Sequence, residues 1–281
     1  MSKVLGDYLY YHEDGPPSMD IYLGDSAEVL PLLQGGVDLV LTSPPYDALR
    51  EYLGYTFDFE KVASGLVSCI RDGRNIVWIV GDGTVDGSES GTSFRQALKF
   101  MDLGMKLHDT MIYEKPGPPF PDFNRYYQVF EYMFIFSKGK PLVTNLICDR
   151  RNIYAGAPIA RLHGDRQADG TVTENSAYRI AKDRKTKEIG VRFNVWRMPT
   201  SGSEGNHLKT EHPATFPDRL AKDHILSWSN EGEIVLDPFL GSGTTLVACK
   251  ELRRSGIGIE ISATYAEIAK KRLLNTQVPF L

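Results

Sequence analysis

The chain is poor in cysteine: Cys69, Cys148 and Cys249 are the three among 281 residues, and none pairs with another at Cys-x-x-Cys spacing. That excludes a disulfide framework or a cysteine zinc site and sets a reducing cytoplasm as the expectation. No apolar run approaches the roughly 20 residues of a membrane helix, so no membrane association is expected. The stretch Met1 to Asp20 is polar and tyrosine-rich, unlike a signal peptide. Internal repeats and low-complexity tracts are also absent. A general excess of positive charge is missing too, since the net charge is −4 and the pI about 5.9, which argues against a uniformly nucleic-acid-coating surface.

The charge is nevertheless uneven. From Pro141 to Val195 there are ten cations against six acids, a net +4 that leaves −8 on the rest of the chain. A basic island on an acidic body suits local contact with phosphates, although an ordinary solvated surface would read the same way. Hydrophobic residues make up 42% and charged residues 24%, ordinary for a globular chain long enough to bury a full core.

Apolar runs at Met19 to Gly24, Val37 to Leu41, Asn75 to Val80, Lys106 to Glu114, Gln128 to Ser137, Glu233 to Leu236 and Gly256 to Ile259 read as strands. Helical patterns at Ser26 to Leu33, Lys61 to Arg71, Phe94 to Leu103, Pro217 to Ser229, Thr244 to Leu252 and Ala263 to Leu274 alternate with them. The alternation predicts a doubly wound, mostly parallel α/β sheet with helices on both faces. Residues 81–93 are rich in Gly, Ser, Asp and Thr and read as a loop of open role.

Two strand ends carry chemistry. The strand ending at Asp237 runs into Pro238-Phe239-Leu240-Gly241-Ser242-Gly243 and then a helix beginning Thr244-Thr245. Ligands of open α/β sheets bind beyond the carboxyl ends of strands. Gly241 and Gly243 permit close backbone approach, and the helix N-terminus can receive an anion. Glu260 ends the following strand, where a carboxylate can accept from ribose hydroxyls. Leu246 stands where a dinucleotide fingerprint wants its third glycine, and no Gly-Lys-Ser/Thr follows, which disfavours a nicotinamide oxidoreductase and a P-loop. A plain strand-to-helix turn remains open at this point.

The second is Thr42-Ser43-Pro44-Pro45-Tyr46, closing the run Val37 to Leu41. Two prolines cannot continue a central strand, so the segment is a rigid turn. The proline carbonyls and the Ser43 hydroxyl can accept from an amine, and Tyr46 offers a flat face for a planar ring. An ordinary turn with a packed tyrosine is the structural alternative.

Together these residues resemble the amino-methylating DNA methyltransferases, which modify N4 of cytosine or N6 of adenine. Their catalytic motif, Asp/Asn/Ser-Pro-Pro-Tyr/Phe, matches Ser43 to Tyr46, and their Phe-x-Gly-x-Gly cofactor motif matches Phe239 to Gly243. The order, catalytic motif first, resembles the circularly permuted beta group, with a target-recognition region between the two halves. The resemblance covers nearly the whole chain. It implies a seven-stranded Rossmann-like methyltransferase sheet with one antiparallel strand. Residues 1–140 would form the catalytic half, 141–195 the recognition insert and 196–281 the cofactor-binding half.

It further implies S-adenosylmethionine as cofactor, double-stranded DNA as partner, and base flipping. Dimers occur in the group, so a homodimer is admitted. Ser43, Pro44, Pro45 and Tyr46 would be catalytic. Asp25, Thr42, Asp237, Pro238, Phe239, Gly241, Ser242, Gly243, Thr244 and Glu260 would surround the cofactor, Asp25 near its adenine. His212-Pro213 before Phe216-Pro217 resembles the segment leading to the helix at the methionine end. Many relatives carry Lys-Pro there, and Lys209 could substitute for that lysine. His207 and His212 lack a third ligand and read as turn or capping residues, so no metal is expected. Serine at 43 favours cytosine N4 over adenine N6. An RNA or small-molecule methyltransferase and a noncatalytic DNA-binding module are the rival readings.

Overall fold

The computed structural model describes residues 4–33, 35–45, 58–115, 124–157, 165–173, 185–199 and 217–278. Tyr46, His207, Lys209, His212 and Phe216 therefore lie outside the described residues. The described chain forms two compact units, residues 1–145 with 194–281, and residues 146–193.

The strands are β1 (Leu9–Glu13), β2 (Met19–Leu23), β3 (Val37–Thr42), β4 (Ile70–Val80), β5 (Thr84–Val85), β6 (Ser88–Glu89), β7 (Lys106–Glu114), β8 (Phe130–Ser137), β9 (Arg150–Arg151), β10 (Asp165–Arg166), β11 (Val172–Thr173), β12 (Ile189–Gly190), β13 (Val195–Arg197), β14 (Ile234–Asp237) and β15 (Ser255–Glu260). The helices are α1 (Ser26–Val29), α2 (Phe59–Cys69), α3 (Thr92–Asp102), α4 (Asp218–Trp228), α5 (Thr244–Glu251) and α6 (Ala263–Leu274).

The larger unit is built on one sheet in the order β1-β2-β15-β14-β3-β4-β8-β7-β13. It holds nine strands rather than the expected seven. The additions are the two edges. At one edge β1, from the polar tyrosine-rich stretch, pairs antiparallel to β2. At the other edge three-residue β13 runs parallel to β7. An edge strand buries little and so shows little apolar signal. The second antiparallel strand is β8, which opposes both β4 and β7. Residues 81–93, expected to be a loop, contain the β5–β6 hairpin and the start of α3.

Alternation along the central strands gives the sheet two apolar faces. Val40, Ile76, Trp78, Val80, Phe136 and Leu236 share one cluster with α2 and α3 residues such as Leu66 and Phe100. Trp78 and Phe100 meet edge to face at 5.2 Å. Leu39, Leu41, Val77, Ile79 and Val235, equally buried, alternate with them. Toward that opposite face α4 packs on β3, β4 and α5, while α6 packs on α5, β2 and β15.

β3 and β14 are parallel neighbours, with Val235 beside Leu39 and Leu236 beside Val40. From β3 the chain proceeds to β4 on one side, and from β14 to β15 on the other. Their carboxyl ends therefore flank the point where strand order reverses, the usual ligand crevice of such sheets. The opposite ends are tied by Asp38. Its buried carboxylate accepts from Arg71 Nη1 at 2.6 Å and from the Ile234 backbone N–H at 3.0 Å. Arg74, 3.4 Å away, also grips Glu233 through two bonds of 3.0 and 2.6 Å. This explains why Arg71, expected in the preceding helix, instead extends β4. In urea unfolding, Asp38→Ala is expected to cost about 3 kcal/mol, because Arg74 and Ile234 N–H lose a buried acceptor.

The unit 146–193 is assembled differently. None of its described residues is a buried hydrophobic. The short β9–β12 ladder, the Arg192–Asp149 ion pair and the Arg150 guanidinium 4.3 Å over the Phe193 ring hold it together, beside a separate β10–β11 ribbon.

Candidate active site

Four parallel strands, β2, β15, β14 and β3, end along one rim of the sheet. The expected site residues follow these ends: Asp25 after β2, Glu260 at the end of β15, Pro238 to Gly243 after β14, and Ser43 to Pro45 after β3. Sequence positions far apart are thereby brought to a common edge.

Asp237 is sealed inside it, with 2% of its surface exposed. Oδ1 accepts from Thr42 Oγ1 at 2.7 Å and from the Phe239 N–H at 3.0 Å, while Oδ2 accepts from Thr245 Oγ1 at 2.6 Å. No cation pairs with it among the described residues. Burial pushes its pKa up, opposed by the Thr245, Thr42 and Phe239 hydrogen bonds. Thr42 and Asp237 are thus bonded to each other inside the protein. They fasten the end of β3 to the end of β14 and the start of α5.

The glycine turn is shaped by its neighbours. Gly241 and Gly243 adopt φ of 53° and 86°, the left-handed region that favours glycine. A Cβ on Gly243 would lie 2.8 Å from the Ala269 Cβ of α6, so this glycine admits a helix. Arg272, also on α6, donates to the Ser242 carbonyl at 2.7 Å and to the Ser242 and Thr244 hydroxyls at 3.1 Å. Thr245 turns in to Asp237. The start of α5, expected to receive an anion, has its Thr244 and Thr245 hydroxyls bonded to Arg272 and Asp237. Ser26 Oγ donates to the Pro238 carbonyl. Ser26, Ala269 and Arg272 were missed because nothing in their local pattern distinguishes them from ordinary helix residues.

Glu260 has the opposite character. Its Oε2 accepts from Gly241 N–H at 2.7 Å and its Oε1 from Ser262 N–H at 2.9 Å. A carboxylate has about four acceptor positions, so each oxygen retains capacity for a diol beyond the backbone bond. Burial raises its pKa, against the Ser262 and Gly241 hydrogen bonds. Asp25 caps α1 by accepting from Ala27 N–H at 2.8 Å and is partly exposed beside this end of the sheet. Phe239 is partly buried with its ring 6.4 Å from Trp78. A carboxylate with spare acceptor positions, a partly open aromatic and a second acid on one rim make an acceptor set that fits an adenosine moiety.

Ser43 and Pro45 are partly exposed and Pro44 is buried. Among the described residues no cluster of three or more His, Cys, Asp and Glu could hold a metal ion, and no helix is long and apolar enough to cross a membrane. Cys69 and Cys249 are buried, and burial pushes the Cys69 thiol up to about 12.

The family model for N6/N4 methyltransferases, described as DNA methylase, matches residues 37–271. The chain belongs to this DNA methylase family. The family's reaction is transfer of methyl from S-adenosylmethionine to an exocyclic base amine, N6 or N4, in DNA. The chain is 53% identical over 242 residues to the orphan methyltransferase M.BamHII of Bacillus amyloliquefaciens, covering 85% of this chain and 89% of that protein. Identity to the type II methyltransferase M.SmaI of Serratia marcescens is 29% over 300 residues, covering 92% and 91%. Two solved structures share the fold. PvuII DNA methyltransferase, described as cytosine-N4-specific, superimposes with TM-score 0.65 over 93% of this chain and 88% of that one, at 19% identity. M1.HpyAVI in complex with SAM gives 0.59 over 91% and 100%, at 21% identity.

Removing the hydroxyl of Thr42 tests the internal tie. Thr42→Val keeps the shape but leaves Asp237 short of a donor, and is expected to lower unfolding stability by about 1–3 kcal/mol. Thr42→Ser should recover most of it in the same denaturation series.

Proposed function

We propose that the chain methylates the N4 amine of cytosine in double-stranded DNA, within the permuted group whose catalytic motif precedes its cofactor motif. The observation that carries this is the placement of Ser43-Pro44-Pro45 and Phe239 to Gly243 after neighbouring strand ends, with Glu260 on the next. Residues 141–195, net positive in an acidic chain, are assigned to target recognition.

Bound S-adenosylmethionine supplies an electrophilic sulfonium methyl. Glu260 accepts from its ribose diol, and Asp25 and Phe239 lie on the adenosine side. Thr42, Asp237, Ser242 and Gly243, expected around the cofactor, also shape the site through their contacts with one another, Thr245, Ala269 and Arg272. The target base must leave the helical stack, because its amine is otherwise paired and conjugated with its ring. Tyr46 supplies a stacking face. The Ser43 side chain and the Pro44 carbonyl accept from the NH2 group, drawing the nitrogen lone pair out of conjugation and aiming it. A serine hydroxyl is too weakly basic to remove a proton beforehand, so the amine sheds it during or after transfer. Catalysis is then alignment and electrostatics.

Serine at position 43 supports cytosine over adenine. Plasmid DNA methylated by the chain in a host free of other methylases, digested and analysed by mass spectrometry, should contain N4-methylcytosine. N6-methyladenine would move the assignment to the other amine. Sequencing the same plasmid maps the site. Ser43→Ala should reduce single-turnover methylation about a hundredfold while calorimetric binding of S-adenosylmethionine stays within a few-fold. Equal losses in both would remove the role given to Ser43.

Glu260 gives the cofactor step a pH dependence. Its pKa is raised by burial, so on acidification it becomes a neutral, weaker acceptor sooner than an ordinary glutamate. Calorimetric affinity for S-adenosylmethionine should fall on acidification, beginning at a pH above the ordinary glutamate range. Glu260→Gln should bind about tenfold more weakly at neutral pH and lose this part of the profile.

A further inference from the structure

We propose that the turn Asn152 to Ala157 is a wedge that enters the base stack of duplex DNA, with Ile153 and Tyr154 as the inserted side chains. This rests on the reading of the chain as a base-flipping methyltransferase and identifies residues for a step that the Ser43 region does not perform.

The first observation is exposure. Ile153 and Tyr154 are adjacent large side chains, 92% and 75% exposed. Single exposed apolar residues are ordinary, but a contiguous exposed pair asks for a partner.

The second is rigidity. Asn152 N–H donates to the Glu188 carbonyl at 2.8 Å, and its side-chain Nδ2 to the Lys187 carbonyl at 2.8 Å. Beyond the turn, Gly156 N–H donates to the Thr186 carbonyl at 2.9 Å, and Thr186 N–H returns to the Ala157 carbonyl at 2.8 Å. Within it, Ala157 N–H reaches the Tyr154 carbonyl at 3.1 Å, with Gly156 at φ 80°. The backbone is pinned on both flanks while the two side chains project into solvent. A preorganised protrusion loses little entropy when it is inserted.

The third is charge. Arg151, Lys185 and Lys187 flank the turn, are exposed, and enter no ion pair among the described residues. Arg150 and Arg192 are used internally, over Phe193 and against Asp149. The free cations therefore accompany the apolar tip, as contacts to phosphates on either side of an opened base step would require. A two-stranded ribbon such as β9–β12 is also a shape that a DNA groove admits. Extruding a base leaves a gap in the stack, and an aromatic ring beside a branched aliphatic can fill it without regard to sequence.

The test uses the full chain and synthetic duplexes carrying the site mapped from the plasmid. In one duplex the target base is paired; in the other it faces an abasic position, so extrusion is already cheap. The double variant Ile153→Ala, Tyr154→Ala should slow single-turnover methylation of the paired duplex roughly ten- to a hundredfold, and that of the abasic duplex by no more than a few-fold. Tyr154→Phe, which keeps the ring, should match the wild type on both. Equal slowing on the two duplexes, or none on either, overturns the wedge. So does a change in the sedimentation of the free protein, which would assign the tip to a second copy of the chain. Failure of the wild type to methylate plasmid or duplex would overturn the functional reading itself, and is seen before any variant is compared.

Discussion

A carboxylate that water cannot reach must be satisfied by protein, and Asp237 is satisfied from three separate segments. Thr42 comes from the end of β3, Phe239 from the glycine turn, and Thr245 from the first turn of α5. An acceptor left short of a donor here would carry its desolvation penalty in full. The three segments therefore hold one arrangement together or lose it together. The turn after β3 bears Ser43 and the turn after β14 bears Phe239, so the same hydrogen bonds that satisfy Asp237 fix the separation between the turn proposed to hold the base and the turn proposed to hold the cofactor. Methyl transfer needs its two reactants held in register to within a fraction of an ångström. A buried network spanning both halves is a physical means to that end.

Asp38 does at the other end of β3 and β14 what Asp237 does at the rim. It is buried, it takes a backbone N–H of β14, and it pairs with arginines of β4. The two central strands are clamped at both ends by carboxylates, while the apolar faces between supply the burial. The difference in partners suits the difference in place. At the closed end Asp38 meets arginine charge, whereas at the rim the donors to Asp237 among the described residues are neutral, and Arg272 grips the neighbouring Ser242 and Thr244 instead.

Much of this was legible in the sequence, and the illegible parts have definite causes. The five inner strands and β8 carry mainly buried residues in short apolar runs, and β7 does so in its second half, so their pattern is plain. The edge strands β1 and β13 are polar or short and carry no such pattern. The residues near the site were found by type, but their roles divide by hydrogen-bond partners, which a sequence does not display. Asp237 and Glu260 both end strands as acids. One has both oxygens taken up by side-chain hydroxyls and a backbone N–H, the other, also buried, takes one backbone N–H on each oxygen. The sequence suggests room for a ligand at Gly243, and the structure adds a second demand on that glycine, the close approach of Ala269. Arg272 and Ser26 gave no local signal, because their partners lie 30 and 212 residues away.

The linear order of the motifs also becomes intelligible. Thr42 and Asp237 are 195 residues apart yet share a hydrogen bond. What the chemistry requires is that β3 and β14 be neighbours at the point where strand order reverses. Whether the chain visits β3 first or β14 first is immaterial to that requirement, since each strand is followed by its own crossover to its own side of the sheet. Much of the long connection between the halves is then released from duty to the sheet, its edge strand β13 excepted. In this chain that connection contains the unit 146–193, which has no buried hydrophobic among its described residues. A segment that need not contribute to the core can keep its cations and apolar tips outward, and an acidic enzyme can thereby carry a basic surface for its polyanionic substrate.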